Sequence, residues 1–137
     1  MTIIESPAKL TLTLAVAGVR EDGYHLIDAQ MVSLDICDII TINNDSSTSI
    51  TVDGPYAAGV PTDNSNLVHK ALVLAGRTAR VHITKNIPNG GGLGGGSTNA
   101  ASVLRWADFT NLEAASRIGA DIPFCMVGGR AQVGGIG

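Results

Sequence analysis

Six of the seven residues from Gly90 to Gly96 are glycine, and Ser97, Thr98 and Asn99 follow before an Ala-rich run. Residues of these types at this spacing can hold phosphate. Glycine has no Cβ, so it reaches φ > 0 and lets backbone N–H groups approach a ligand, while the first turn of a following helix adds unpaired donors and the positive end of the helix dipole. A polyphosphate is the ligand such a loop suits. Two better-known phosphate loops do not fit. A loop of the form G-x-x-x-x-G-K-[ST] needs a lysine before its Ser/Thr, and no lysine follows Lys85. Gly90, Gly92 and Gly95 match G-x-G-x-x-G, but no acidic residue closing a following strand lies about 20 residues on, as a dinucleotide site requires. A flexible linker would also be glycine-rich, yet it would not normally join a strand to a helix.

A cradle works only if a strand delivers the chain to it and a helix carries the chain away. The pattern predicts a strand over 79–84, the loop, and a helix over 98–107 capped by Ser97. Upstream, residues 10–17 alternate Thr with Leu and Val, which predicts a strand with one buried face. A turn at Glu21, Asp22 and Gly23 follows, then strands over 29–34, 38–42 and 48–52 separated by Asp- and Asn-rich turns. Residues 66–75 predict a helix entered through Asp63 or Ser65, with Leu67, Ala71 and Leu74 on its buried face. A short helix over 112–118, one helical turn after Asp121 and a strand over 130–133 complete an α+β order with no repeat or linker.

With 137 residues, 45% of them hydrophobic, the chain can build one core. A net charge of −3 gives no basic footprint for nucleic acid or an anionic membrane. No leader precedes the first strand and no apolar run approaches membrane-spanning length, so the expectation is a soluble cytoplasmic protein. Cys37 and Cys125 form no metal pattern and read as ordinary buried thiols.

Four segments taken together resemble the GHMP kinases: Ser6-Pro7-Ala8-Lys9-Leu10, Arg20-Glu21-Asp22-Gly23-Tyr24-His25, the glycine loop from Pro88 to Asn99, and Gly119-Ala120-Asp121-Ile122-Pro123-Phe124. They occur in family order across essentially the whole chain. The resemblance implies the ribosomal protein S5 domain 2-like fold, with a left-handed βαβ crossover, for residues 1–137 as an amino-terminal, ATP-binding domain whose second domain is absent. It also implies ATP and Mg2+ as donor and cofactor. Pro88, Gly90, Gly91, Gly92, Leu93, Gly94, Gly95, Gly96, Ser97 and Thr98 would hold the phosphates, with Ser97 near the metal, and Asn66 and Lys85 would contact adenine.

Asp121 is implied as the catalytic base and Lys9 as the cation that neutralises developing charge beside it. Without the resemblance, Asp121 would read as a helix cap and Lys9 as a solvated edge charge. The D-G-Y-H tetrapeptide points to the branch of the family that acts on a cytidine diphosphate-linked methylerythritol in the non-mevalonate route to isoprenoids. There Tyr24 stacks on cytosine and His25 hydrogen-bonds to it, stacking being worth about 1–3 kcal/mol per base. Thr11 stands where the family usually has asparagine, and Met31 where an aromatic is common, both near the substrate. Three alternatives stay open: a nucleotide-binding domain without turnover, a homoserine or mevalonate type of kinase, and a nucleic-acid module of the same fold. The second leaves D-G-Y-H without a task, and the acidic balance opposes the third.

Overall fold

The computed structural model describes residues 1–19, 25–90, 92–127 and 130–136. The elements run β1 (Thr2–Val19), β2 (His25–Asn44), β3 (Ser49–Asp53), α1 (Leu67–Ala75), β4 (Ala79–Thr84), α2 (Gly95–Trp106), α3 (Leu112–Ser116), α4 (Ile122–Val127) and β5 (Arg130–Ile136). The five strands form one sheet. β2 is its spine, antiparallel to β1 along one side, while on the other it takes β5 against Leu26–Val32 and β4 against Ile39–Asn44. β3 pairs parallel to β4, the two being joined through α1 as a βαβ unit.

Period-two alternation decides which face of the sheet is buried. Ile40 pairs with Ile83, and Ile42 and Ile50 both pair with Val81. All five are buried in a cluster that also takes Val68, Ala71 and Leu72 of α1, Val103 and Leu104 of α2 and Phe124 of α4. The opposite face carries Thr41, Thr51 and His82 at one level. There Thr51 Oγ1 lies 2.7 Å from His82 Nδ1, His82 Nε2 lies 3.1 Å from Asp53 Oδ1, and Thr84 Oγ1 donates to Asp53 at 2.8 Å. The Thr84 hydrogen bond, aided by His82, holds the Asp53 carboxyl below its usual pKa.

Several elements differ from expectation. β1 starts at Thr2, well before the strand expected over 10–17, and carries Pro7 on the sheet's edge strand, where a missing N–H is tolerated. The expected strands over 29–34 and 38–42 are one strand, since register shifts in the β1–β2 ladder absorb the Asp35 irregularity. α1 is capped by Asn66, whose Oδ1 accepts from Val68 N at 2.8 Å. Asp63 instead closes its own turn by accepting from Ser65 N at 2.9 Å. Val68, Ala71 and Leu72 form the buried face of α1, with Leu67 and Leu74 only partly covered. α2 begins at Gly95, three residues early, with Gly94 as its cap in the left-handed region and no side-chain cap, so Ser97 lies inside the first turn. β5 extends to Ile136. The expected turn at 21–23 lies outside the described residues.

Candidate active site

The β1 ladder shifts register between Pro7 and Lys9, and as a result Ala8 and Lys9 are both buried in succession where a regular strand would alternate. The shift turns Lys9 inward. Its ammonium lies 3.1 Å from Asp121 Oδ2 and 3.4 Å from Thr11 Oγ1, to which it donates. Asp121 immediately precedes α4, and its carbonyl accepts the first helical bond, from Cys125 N at 3.1 Å. Its backbone therefore caps the helix while its carboxylate, with the side chain 38% exposed, pairs with Lys9 and stays open to solvent. Cys125 lies behind this pair. Burial first, then the Asp121 charge, push its thiol up to about 11, which leaves it protonated and unreactive at neutral pH.

The glycine loop lies directly over Lys9. Lys9 N donates to Leu93 O at 2.8 Å, and a Cβ on Gly94 would fall 2.8 Å from both Cγ and Cε of the lysine. Gly90, Gly92 and Gly94 have φ of 74°, 70° and 68°, a backbone that other residues adopt only at a cost. α2 leaves the loop with no capping side chain and no acidic residue in its first turn, so the Gly95, Gly96 and Ser97 N–H groups face out as an anion site. A second lysine closes the other side, since a Cβ on Gly95 would meet Lys85 Nζ at 3.0 Å. Ser97 Oγ lies 3.9 Å from where a Gly119 Cβ would be, which sets this hydroxyl beside the turn that carries Asp121.

A cleft of about 360 Å³ opens from this helix start toward the segment after β3. Val60, Pro61 and Leu67 supply apolar walls, and Lys85, Asn89, Gly96 and Asn99 the polar end. Asn66 also lines it, although both ends of its amide are engaged, Oδ1 with Val68 N and Nδ2 with Pro61 O at 2.8 Å.

Of the residues expected at the site, the structure therefore brings Lys9, Thr11, Asp121, Ser97 and the glycines together, and places Lys85 and Asn66 along the adjoining cleft. Thr98 is buried and its hydroxyl accepts from Ser6 Oγ at 3.3 Å, so it faces the interior and not the phosphate side. Met31 is 2% exposed, within the hydrophobic cluster, although its backbone pairs with Thr11. Gly91 and Tyr24 lie outside the described residues, as does the side chain of His25, whose backbone opens β2.

One group of residues was not foreseen. Asp38 is fully buried and accepts four hydrogen bonds, from Asn86 N and Ile87 N on Oδ1 and from Lys85 Nζ and Asn99 Nδ2 on Oδ2. Ser6 sits beside it, accepting from Asn99 Nδ2 at 3.2 Å and from Ser102 Oγ at 3.0 Å. The available signal was a carboxylate set between Cys37 and Ile39 in a strand, which must be paired if it is buried.

A glycine-rich helix start closes over a lysine–aspartate pair on a single mixed sheet, an arrangement that can hold an anion beside an acid–base pair. Residues 66–129 match the family model "GHMP kinases N terminal domain". Among curated relatives, it is 43% identical over 132 residues to "4-diphosphocytidyl-2-C-methyl-D-erythritol kinase" of Paracoccus denitrificans (strain Pd 1222), covering 96% of this chain and 48% of the relative. It is 40% identical over 150 residues to the protein of the same name from Clostridium tetani (strain Massachusetts / E88), covering 98% and 52%. A crystal structure of "4-(cytidine 5'-diphospho)-2C-methyl-D-erythritol kinase" superimposes with a TM-score of 0.75 at 33% identity, over 99% of this chain and 53% of that one. The chain thus spans about half the length of the curated relatives it matches.

Proposed function

We propose that this chain is the ATP-binding half of a kinase that transfers a phosphoryl group to the 2-hydroxyl of 4-diphosphocytidyl-2-C-methyl-D-erythritol. The observation that carries the reading is the Lys9–Asp121 pair, 3.1 Å apart, under a glycine loop that opens into an uncapped helix. The similarity to the named relatives supports the choice of substrate. The fold we assign is the ribosomal protein S5 domain 2-like class, and the cytoplasm is the compartment we assign to the reaction. No helix among the described residues is long and apolar enough to cross a membrane.

In this reading adenine occupies the cleft walled by Val60, Pro61 and Leu67, near Asn66 and Lys85. The phosphates lie along the Gly95, Gly96 and Ser97 N–H groups, which the helix dipole reinforces. Asp121 accepts the proton of the attacking hydroxyl, and Lys9, paired with that carboxylate, neutralises charge as the new bond forms. Thr11 orients the acceptor alcohol through its hydroxyl. Tyr24 and His25 clamp cytosine, and Met31 supports the substrate wall from behind Thr11.

Among the described residues, no three His, Cys, Asp or Glu side chains gather as a metal site. Ser97 Oγ and the open Asp121 carboxylate are oxygen donors of the kind magnesium takes beside nucleotide phosphates, so the residues fit a phosphate-held ion and not an all-protein cage. Magnesium there would screen phosphate charge.

The test joins the chain to the carboxy-terminal half of a relative and measures ATP-dependent phosphorylation of the cytidyl substrate, with calorimetric ATP titration of the chain alone. Transfer by the joined protein supports the kinase. ATP binding without transfer supports a nucleotide-binding domain that lacks turnover.

A further inference from the structure

The glycine loop has two ends, and one buried carboxylate holds both. At the entry, Asp38 Oδ1 accepts from Asn86 N at 2.6 Å and Ile87 N at 2.9 Å, the residues that follow β4 and Lys85. At the exit, Asp38 Oδ2 accepts from Asn99 Nδ2 at 3.0 Å, and Asn99 is in the second turn of α2. The same oxygen takes Lys85 Nζ at 2.5 Å, and Lys85 in turn donates to Asn99 Oδ1 at 2.8 Å, which closes a triangle of side chains beneath the loop. A carboxylate offers about four acceptor positions, and all four are filled. Asp38 is 0% exposed, so no ligand in the cleft can touch it.

We infer that Asp38 is a positioning residue for the phosphate site. It fixes the separation between the strand exit at Asn86–Ile87 and the first turn of α2, and it anchors Lys85 and Asn99 beneath that turn, so the Gly95–Ser97 N–H groups converge on the same phosphates. This rests on the reading of the loop as an ATP cradle. The alternative is that Asp38 serves stability alone, as buried hydrogen-bonded carboxylates often do.

Asp38→Asn preserves shape and an oxygen for the two backbone N–H groups, but it turns an amide N–H2 toward Lys85 and Asn99, both donors at that point. The variant should bind ATP at least about tenfold more weakly than the parent while adenosine, held by the apolar walls, changes by less than about threefold. A folded variant with unchanged ATP affinity, or with ATP and adenosine weakened alike, overturns the inference. Amide exchange on the parent chain decides the matter even if the variant does not fold. ATP should slow exchange at Gly95–Ser97 and also at Asn86 and Ile87, whose N–H groups face Asp38 and not the ligand. Slowing at both ends supports the coupling, slowing at Gly95–Ser97 alone overturns it, and no slowing anywhere refutes the ATP cradle itself.

Discussion

A valine at position 94 meets two separate obstacles. Gly94 has φ of 68°, and a residue with a Cβ held there is strained by roughly 1–2 kcal/mol, more for a branched side chain. Its Cβ would also fall 2.8 Å from Cγ and Cε of Lys9, a stem that cannot swing away freely because its ammonium is tied to Asp121. Crowding a packed site in this way adds about 1–3 kcal/mol. The loop escapes both by leaving the cradle conformation, and ATP must then restore that conformation on binding. A total of at least about 2 kcal/mol therefore appears in the dissociation constant as a weakening of about 30-fold or more. Gly76→Val is the matched control: its φ of 67° is nearly the same, nothing lies within 4 Å of the added Cβ, and it caps α1 away from the loop. It should lower the melting temperature by about 4–8 °C and leave ATP affinity alone. Titration calorimetry and a thermal melt on both variants suffice. Equal loss of ATP affinity in the two, or none in a folded Gly94→Val, would refute the argument.

In the joined kinase, Asp121→Asn should retain ATP affinity and lose about 10²-fold or more in turnover, because an amide cannot take the hydroxyl proton; a loss of only a few-fold would reduce Asp121 to a helix cap. Tyr24→Ala should weaken a cytidine diphosphate ligand and spare ATP, with equal loss of both pointing to folding instead. Thr84→Val should raise the Asp53 pKa toward its ordinary 3.8, read by carboxyl-carbon NMR titration, since the Thr84 hydrogen bond is the main cause of its depression. Because the folded value is the lower one, the stability linked to Asp53 is present above about pH 4 and fades as pH falls through the depressed value. Cys125, with its thiol raised to about 11, should resist alkylation at pH 8 in the folded chain and react once the chain is unfolded, as mass spectrometry can follow.

Local chemistry made some of this legible in advance. Residues 79–84 announced β4 by strict alternation bounded by Thr78 and Lys85, and the structure keeps those limits. The glycine loop announced itself by composition alone. What sequence pattern misjudged were places where a partner distant in the chain overrides a local preference. Gly95 and Gly96 read as loop because glycine is a poor helix former, yet they are helical, in a helix whose second turn is anchored through Asn99 to Asp38 and Ser6. The family resemblance implied Thr98 as a phosphate ligand, but the helix phase turns its hydroxyl to Ser6. Asp38 went unremarked because its partners are Lys85 and Asn99, and nothing in residues 35–42 names them. Lys9 and Asp121 were paired only through family resemblance, as their juxtaposition depends on the β1 register shift and on where α4 begins.

The double occupancy of one side of β2 imposes an order on synthesis. As the chain leaves a ribosome, β1 and β2 can zip together at once, and β4 can join the far half of β2 as soon as Thr84 has emerged. The near half must wait, since Leu26 pairs with Ile136, and Val32 with Arg130. Throughout translation of α2, α3 and α4, the backbone N–H and C=O groups along Leu26–Val32 therefore present an open edge, the sort of surface on which stray strands aggregate. A nascent chain stalled before residue 130 would keep that edge exposed, and this stretch is where a chaperone that shields unpaired strands would be of most use.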